Sequence, residues 1–92
     1  MANWNKSYLT VAGVFTGSND TTYKVVLQTN DDLKWQTQVD GIWSAETTIL
    51  DAAWSTNTAI TLSDGITITM TRSLKSSYND NDAWEFTAYA IL

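Results

Sequence analysis

Apolar and polar residues alternate along most of this chain. The run Ala59 to Arg72 shows it most clearly. Ile60, Leu62, Ile66, Ile68 and Met70 fall on even positions, and Thr61, Thr67, Thr69 and Thr71 on odd ones. A period of two predicts two strands with one buried and one wet face. Parity also selects the turn between them. A two-residue Asp64-Gly65 loop would pair Leu62 with Thr67 and mix apolar with polar on one face. A three-residue loop, Ser63-Asp64-Gly65, pairs Leu62 with Ile66 and Ile60 with Ile68, which keeps the apolar set together. It also puts Gly65 at the left-handed position of a bulged hairpin.

The rest of the chain reads the same way. Tyr8 to Phe15 is a strand with Leu9, Val11 and Phe15 on one face, ended by the turn cluster Gly17-Ser18-Asn19-Asp20. Tyr23 to Thr29 follows, with Tyr23, Val25 and Leu27 inward, then a turn at Asn30-Asp31-Asp32. Leu33 to Val39 is a third strand, and Asp40-Gly41 is a hairpin signal. Its register is ambiguous, because Ile42 and Trp43 are both apolar. Ile42 to Leu50 holds one or two short strands. Asp51 to Trp54 is read as a single helical turn capped by Asp51, within 51–55. Leu74 to Asp82 is a polar loop. Ala83 to Leu92 is the last strand, with Trp84, Phe86, Ala88, Ala90 and Leu92 on one face. Six to eight short strands at this spacing predict an all-β, antiparallel sandwich of immunoglobulin-like or jelly-roll-like kind. The expected organisation is an arm over residues 1–6 and one domain over 7–92.

Composition narrows the function. Ninety-two residues with 43% hydrophobic content make one small folded domain. There is no cysteine, so neither a disulfide framework nor a thiolate metal site can form. There is no histidine, which removes the commonest general base and metal ligand. The net charge of −5 and the lack of a basic patch argue against nucleic acid as a partner. No apolar run follows the N-terminal residues, so no secretory signal is expected, and no stretch has the length of a membrane span. The sequons at Asn5 and Asn19 then read as chance matches in a chain rich in Asn, Ser and Thr.

Few residues carry candidate chemistry. Glu46 and Glu85 are the only glutamates, and nothing in the sequence places them as the carboxylate pair that glycoside hydrolysis needs. No catalytic residue, cofactor or metal is therefore expected, and the chain is read as a non-enzyme. Asn79, Asp80, Asn81 and Asp82 have calcium-ligating oxygens, but Trp84 stands where a further ligand would be, and these residues are also ordinary turn formers. Thr61, Thr67, Thr69 and Thr71 would suit an ice-binding or glycan-binding plane, yet a solvated strand face predicts the same residues. Of five tryptophans, Trp35 and Trp84 are in phase with apolar neighbours and belong to the core. Trp4 and Trp54 have no such phase and Trp43 is intermediate. These three are the candidate partner contacts, since tryptophan is enriched at interface hot spots.

Four segments carry a resemblance. Leu33-Lys34-Trp35 is followed by Asp40-Gly41-Ile42-Trp43, then by Leu62-Ser63-Asp64-Gly65-Ile66-Thr67-Ile68, then by Asn81-Asp82-Ala83-Trp84-Glu85-Phe86-Thr87-Ala88. Their order is similar to a small β module of the structural proteins of tailed bacteriophages. Val14-Phe15-Thr16-Gly17, Asp20 and Tyr23 fit its first strands. The likeness spans roughly residues 14–90. The chain departs from it at Asn81, where the pattern has Gly, and at Ile42, where a second Gly is common. The module has no catalytic site to transfer.

The resemblance implies a virion component. A chain that begins with Met and holds one module is expected to be a separate gene product, and its small size and acidity favour a capsid decoration or cement protein. The alternatives are a tail, neck or tail-fibre component of the virion, or a carbohydrate-binding module using Trp4, Trp43 or Trp54. The expected partners are other virion proteins, such as the major capsid protein, and further copies in a homo-oligomer, a trimer among the possibilities, with a glycan as the ligand of the last alternative. The expected location is the virion, with Met1 to Lys6 and its Trp4 as the contact arm.

Overall fold

A computed structural model describes residues 8–91. The expected arm and Trp4 lie outside the described residues. Eight strands form two antiparallel sheets: β1 (Leu9–Gly13), β2 (Thr21–Leu27), β3 (Leu33–Val39), β4 (Ile42–Trp43), β5 (Thr47–Ile49), β6 (Ile60–Thr61), β7 (Ile66–Met70) and β8 (Ala83–Ala88). One sheet has the order β1-β7-β6. The other runs β4-β3-β2-β8, with β5 also paired to β3.

The predicted hairpin register holds. Ile60 pairs with Ile68 and Thr61 with Thr67, and the Leu62 N–H donates to the Ile66 carbonyl at 2.9 Å. Asp64 (φ 51°) is left-handed as well as Gly65 (φ 83°), so the turn has both central residues at positive φ and Ser63 is the bulged residue. At Asp40-Gly41 both residues are again left-handed. The loop there has two residues, with Val39 opposite Ile42 and Gln38 opposite Trp43. Ile42 therefore lies on the Val39 side of the sheet, where it stays 74% exposed beyond the end of the core, and Trp43 on the Gln38 side.

The core lies between the sheets. Tyr23, Val25, Leu27, Leu33, Trp84 and Phe86 from the larger sheet meet Leu9, Ile60, Ile66, Ile68 and Met70 from the smaller. Tyr23 lies in an aromatic row, 5.1 Å from the Phe86 ring and 6.3 Å from Trp35, both stacked. Burial of each large apolar side chain contributes about 1.5–3 kcal/mol. The Tyr23 hydroxyl ties the sheets together by donating to the Ser63 carbonyl at 3.0 Å.

Several expectations need correction. Val11 was expected beside Leu9 on a buried face. It does lie opposite the fully buried Ile68, but β1 is the edge of its sheet and Val11 stays 37% exposed. β1 stops at Gly13, whose φ of 100° turns the chain before Phe15. The segment 74–82 is not merely a polar loop. It contains a 3₁₀ turn, Lys75–Ser77, and the buried Tyr78. The last strand ends at Ala88, opposite the first residue of β2, Thr21, and beyond it the Ala90 N–H bonds to Asp20 Oδ1 at 2.8 Å. The predicted turn near 51–55 is a 3₁₀ turn, Asp51–Ala53, whose cap is Leu50 with no side-chain bond. Asp51 is its first residue, and its carboxylate is used elsewhere.

Candidate contact surface

The three candidate tryptophans separate sharply. Trp54 is 4% exposed and belongs to the core cluster. Its indole N–H donates to the Asp31 carbonyl at 2.8 Å, and the Lys75 ammonium covers its ring at 4.1 Å. It is not available to a partner, contrary to expectation. The physical reason is that the lysine and the carbonyl satisfy the polar needs of a ring placed over one end of the core. Trp43 is 38% exposed, on the outward side of β4.

The register defines the surface around Trp43. Trp43 lies opposite Gln38, which lies opposite Thr22, which lies opposite Thr87. The next outward row is Gln36, Lys24 and Glu85. The Thr22 and Thr87 hydroxyls share a hydrogen bond of 2.9 Å, and the Lys24 ammonium stands 6.0 Å from the Trp43 ring centroid. The result is one broad sheet face with amides, hydroxyls, a Lys-Glu cross-strand pair and an aromatic ring at its margin. Such a face supplies adaptable hydrogen bonding and one apolar anchor for a protein or glycan surface.

The outer face of the smaller sheet differs. Thr10 lies opposite Thr69, Ala12 opposite Thr67, and Thr67 opposite Thr61. No charged residue occurs in β1, β6 or β7. Of Thr61, Thr67, Thr69 and Thr71, the first three share this neutral face with Thr10 of β1, and Thr71 lies just past the end of β7.

The structure keeps the two glutamates apart. Glu46 follows β4 in the connection to β5, whereas Glu85 lies in β8 at the opposite edge. Strands β3 and β2 intervene, about 14 Å at ~4.8 Å per strand step. Paired glycosidase carboxylates stand about 5–9.5 Å apart. In the segment 79–82, Asp82 Oδ2 accepts the Asn79 N–H at 3.0 Å, and Asn81 is left-handed at φ 64°. The Asn81 N–H donates to the Leu27 carbonyl at 2.8 Å. The Asp82 carboxylate and the Asn81 N–H thus close a turn ahead of β8, with Asn81 at a left-handed position that asparagine tolerates. Among the described residues no three His, Cys, Asp or Glu side chains are grouped to hold a metal ion.

A second polar cluster holds the Asp51–Ala53 turn. Lys75 Nζ donates to the Asp51 carbonyl (2.7 Å), to Asp51 Oδ1 (2.6 Å) and to the Trp54 carbonyl (2.7 Å). The Asp51 N–H donates to Asp32 Oδ1 at 2.7 Å. Burial pushes the Tyr23 hydroxyl above the ordinary tyrosine value of 10.0, against its Ser63 hydrogen bond, and Asp64 adds to the rise. Burial also raises Tyr78, against the Arg72 N–H and charge. Tyr78 was missed in the sequence because one aromatic in a polar loop has no period. Its hydroxyl donates to the Tyr8 carbonyl at 2.6 Å and accepts the Arg72 N–H at 2.9 Å.

Comparison with known proteins returns no matching family model, no matching curated protein and no matching solved structure.

Proposed function

We propose that this chain is a structural protein of a tailed-bacteriophage virion, a small capsid decoration protein that acts by repeated surface contact. The observation that carries this reading is the ordered set of segments similar to the phage β module. Those segments supply the Asp40-Gly41 turn, the Ser63-Asp64-Gly65 turn and the Asn81 turn, the points that set the chain's path. The face around Trp43 is the contact surface in this reading. Each copy contributes a modest area, and symmetry-related copies add avidity. Particles made without this protein should bind the purified chain saturably, and Trp43→Ala should weaken that binding. No binding to such particles would overturn the proposal.

The exposed ring of Trp43 beside Gln36, Gln38 and Lys24 favours one second reading, a carbohydrate-binding module. Saturable change of tryptophan fluorescence with a glycan, lost in Trp43→Ala, would select it.

A further inference from the structure

The smaller sheet has two edges, and β1, with five residues against the two of β6, is the long one. β7 occupies its middle, so among the described residues β1 is bonded on one side only. The direction of its free groups follows from parity. The Thr71 N–H donates to the Tyr8 carbonyl at 2.8 Å, and bonded residues alternate along an antiparallel ladder. Tyr8, Thr10 and Ala12 therefore aim their main-chain groups at β7. Leu9, Val11 and Gly13 aim theirs outward.

Natural sheets blunt such an edge with lysine, proline or an inward charge. β1 reads Leu9-Thr10-Val11-Ala12-Gly13 and has none of these. Residues 7–19 carry no charge, and neither do β6 and β7. Of the other sheet's two edges, the long strand β8 is guarded by Glu85. For a chain of net charge −5 this distinction matters. Two copies repel one another in general, and β1 is the longest edge at which they meet without bringing like charges together, since the other uncharged edge strands β4, β5 and β6 have only two or three residues. The edge is also self-complementary, because an antiparallel pairing of one strand with itself needs only a two-fold axis.

We propose that β1 pairs with β1 of a second copy, antiparallel about a two-fold axis at Thr10, joining two three-stranded sheets into one of six strands. Thr10 then faces Thr10 of the second copy at a non-hydrogen-bonded position, and Leu9 faces Val11 with both main-chain bonds exchanged. Tyr8 (φ 65°) and Gly13 (φ 100°) bound the flat stretch. Pairing covers the exposed side of Val11. β1 is only about 17 Å long at ~3.4 Å per residue, so the contact falls short of the ~800 Å² per partner of a stable interface. The dimer is therefore weak in free solution and is favoured where copies are crowded, as on a particle. That last clause alone rests on the virion reading.

The test uses the full chain. It has no cysteine, so Thr10→Cys gives a single thiol. Directly opposed residues at such a position lie at a Cα separation that suits a disulfide. Oxidation should link Thr10→Cys chains about tenfold faster than Ser76→Cys chains, whose thiol sits on the exposed 3₁₀ turn Lys75–Ser77. Sedimentation should show the wild-type mass rising towards a dimer by about 1 mM. Thr10→Glu, at an exposed side chain, should keep the circular dichroism and melting temperature but stay monomeric. Equal linking rates in the two cysteine variants, or a dimer that Thr10→Glu leaves intact, would overturn the edge assignment. A wild-type chain that stays monomeric at this concentration but still binds particles removes this inference alone. Lost particle binding with the dimer retained removes the virion reading alone.

Discussion

Replacing Lys75 with methionine tests how the Asp51–Ala53 turn and Trp54 are held. Methionine keeps an apolar stem against the Trp54 ring but removes three N–H donors and the charge. The three bonds, to the Asp51 carbonyl, the Asp51 carboxylate and the Trp54 carbonyl, are all 2.7 Å or shorter. Bonds from a charged donor contribute about 1.5–3 kcal/mol when buried. The Lys75 side chain is 25% exposed and that of Asp51 51%, so water replaces part of this, and about 1 kcal/mol per carbonyl is the better figure. The ion pair itself adds only about 0.5 kcal/mol at such exposure. The cation over the ring adds about 0.5–1 kcal/mol. Losses within one cluster are not additive, and a net cost of about 2 kcal/mol is expected, or roughly 8–16 °C in melting temperature for a domain of this size. Asp51→Asn breaks only the ion pair and should cost under about 1 kcal/mol. Urea melts of both variants and the double variant, at low and high salt, supply the measurement. A Lys75→Met cost below about 0.5 kcal/mol, or an Asp51→Asn cost equal to it, would refute the assignment of the work to the carbonyl bonds.

Other substitutions probe the turns, the tyrosines and the tryptophans. Gly65→Ala forces a Cβ into left-handed backbone and against the Val14 carbonyl, whereas at Gly41 (φ 78°) the same Cβ meets open space. Chemical denaturation should show Gly41→Ala costing about 1–2 kcal/mol and Gly65→Ala clearly more. Tyr23 and Tyr78 have raised pKa values in the folded state. Folding therefore favours their neutral forms, and stability that is full below pH 10 should fall as pH rises above it. The double variant Tyr23→Phe/Tyr78→Phe should show a flatter decline of melting temperature there, and an unchanged slope would exclude these two groups as its cause. Trp54→Ala should cost about 3–5 kcal/mol, as for other buried aromatic rings, while Trp43→Ala should stay within about 0.5 kcal/mol. Acrylamide should quench Trp43 before Trp54, and the reverse order would contradict the burial assignments.

The strand register at 59–72 was legible because its two faces differ in chemistry, isoleucine against threonine. At Asp40-Gly41 that contrast is missing, and the outward position of Trp43 emerged only from the pairing of Gln38. Val11 kept its predicted face, but its exposure depends on strand order, which a local pattern does not encode. Trp54 and Tyr78 were beyond local reading for a different reason. Their polar atoms are satisfied by Asp31, Lys75, Tyr8 and Arg72, most of them far away in the chain. The candidate surface is legible only in part, since one exposed tryptophan looks like any other until its neighbours across the sheet are known.

The proposed role makes this chain a repeated component of a phage particle, and its copy number there is the decisive quantity. Quantitative mass spectrometry of purified particles, scaled to the major capsid protein, should give a copy number equal to that of the capsid protein or a simple symmetric fraction of it. A handful of copies would place the chain in the tail or neck, contradicting decoration, and its absence from particles would contradict the virion assignment itself.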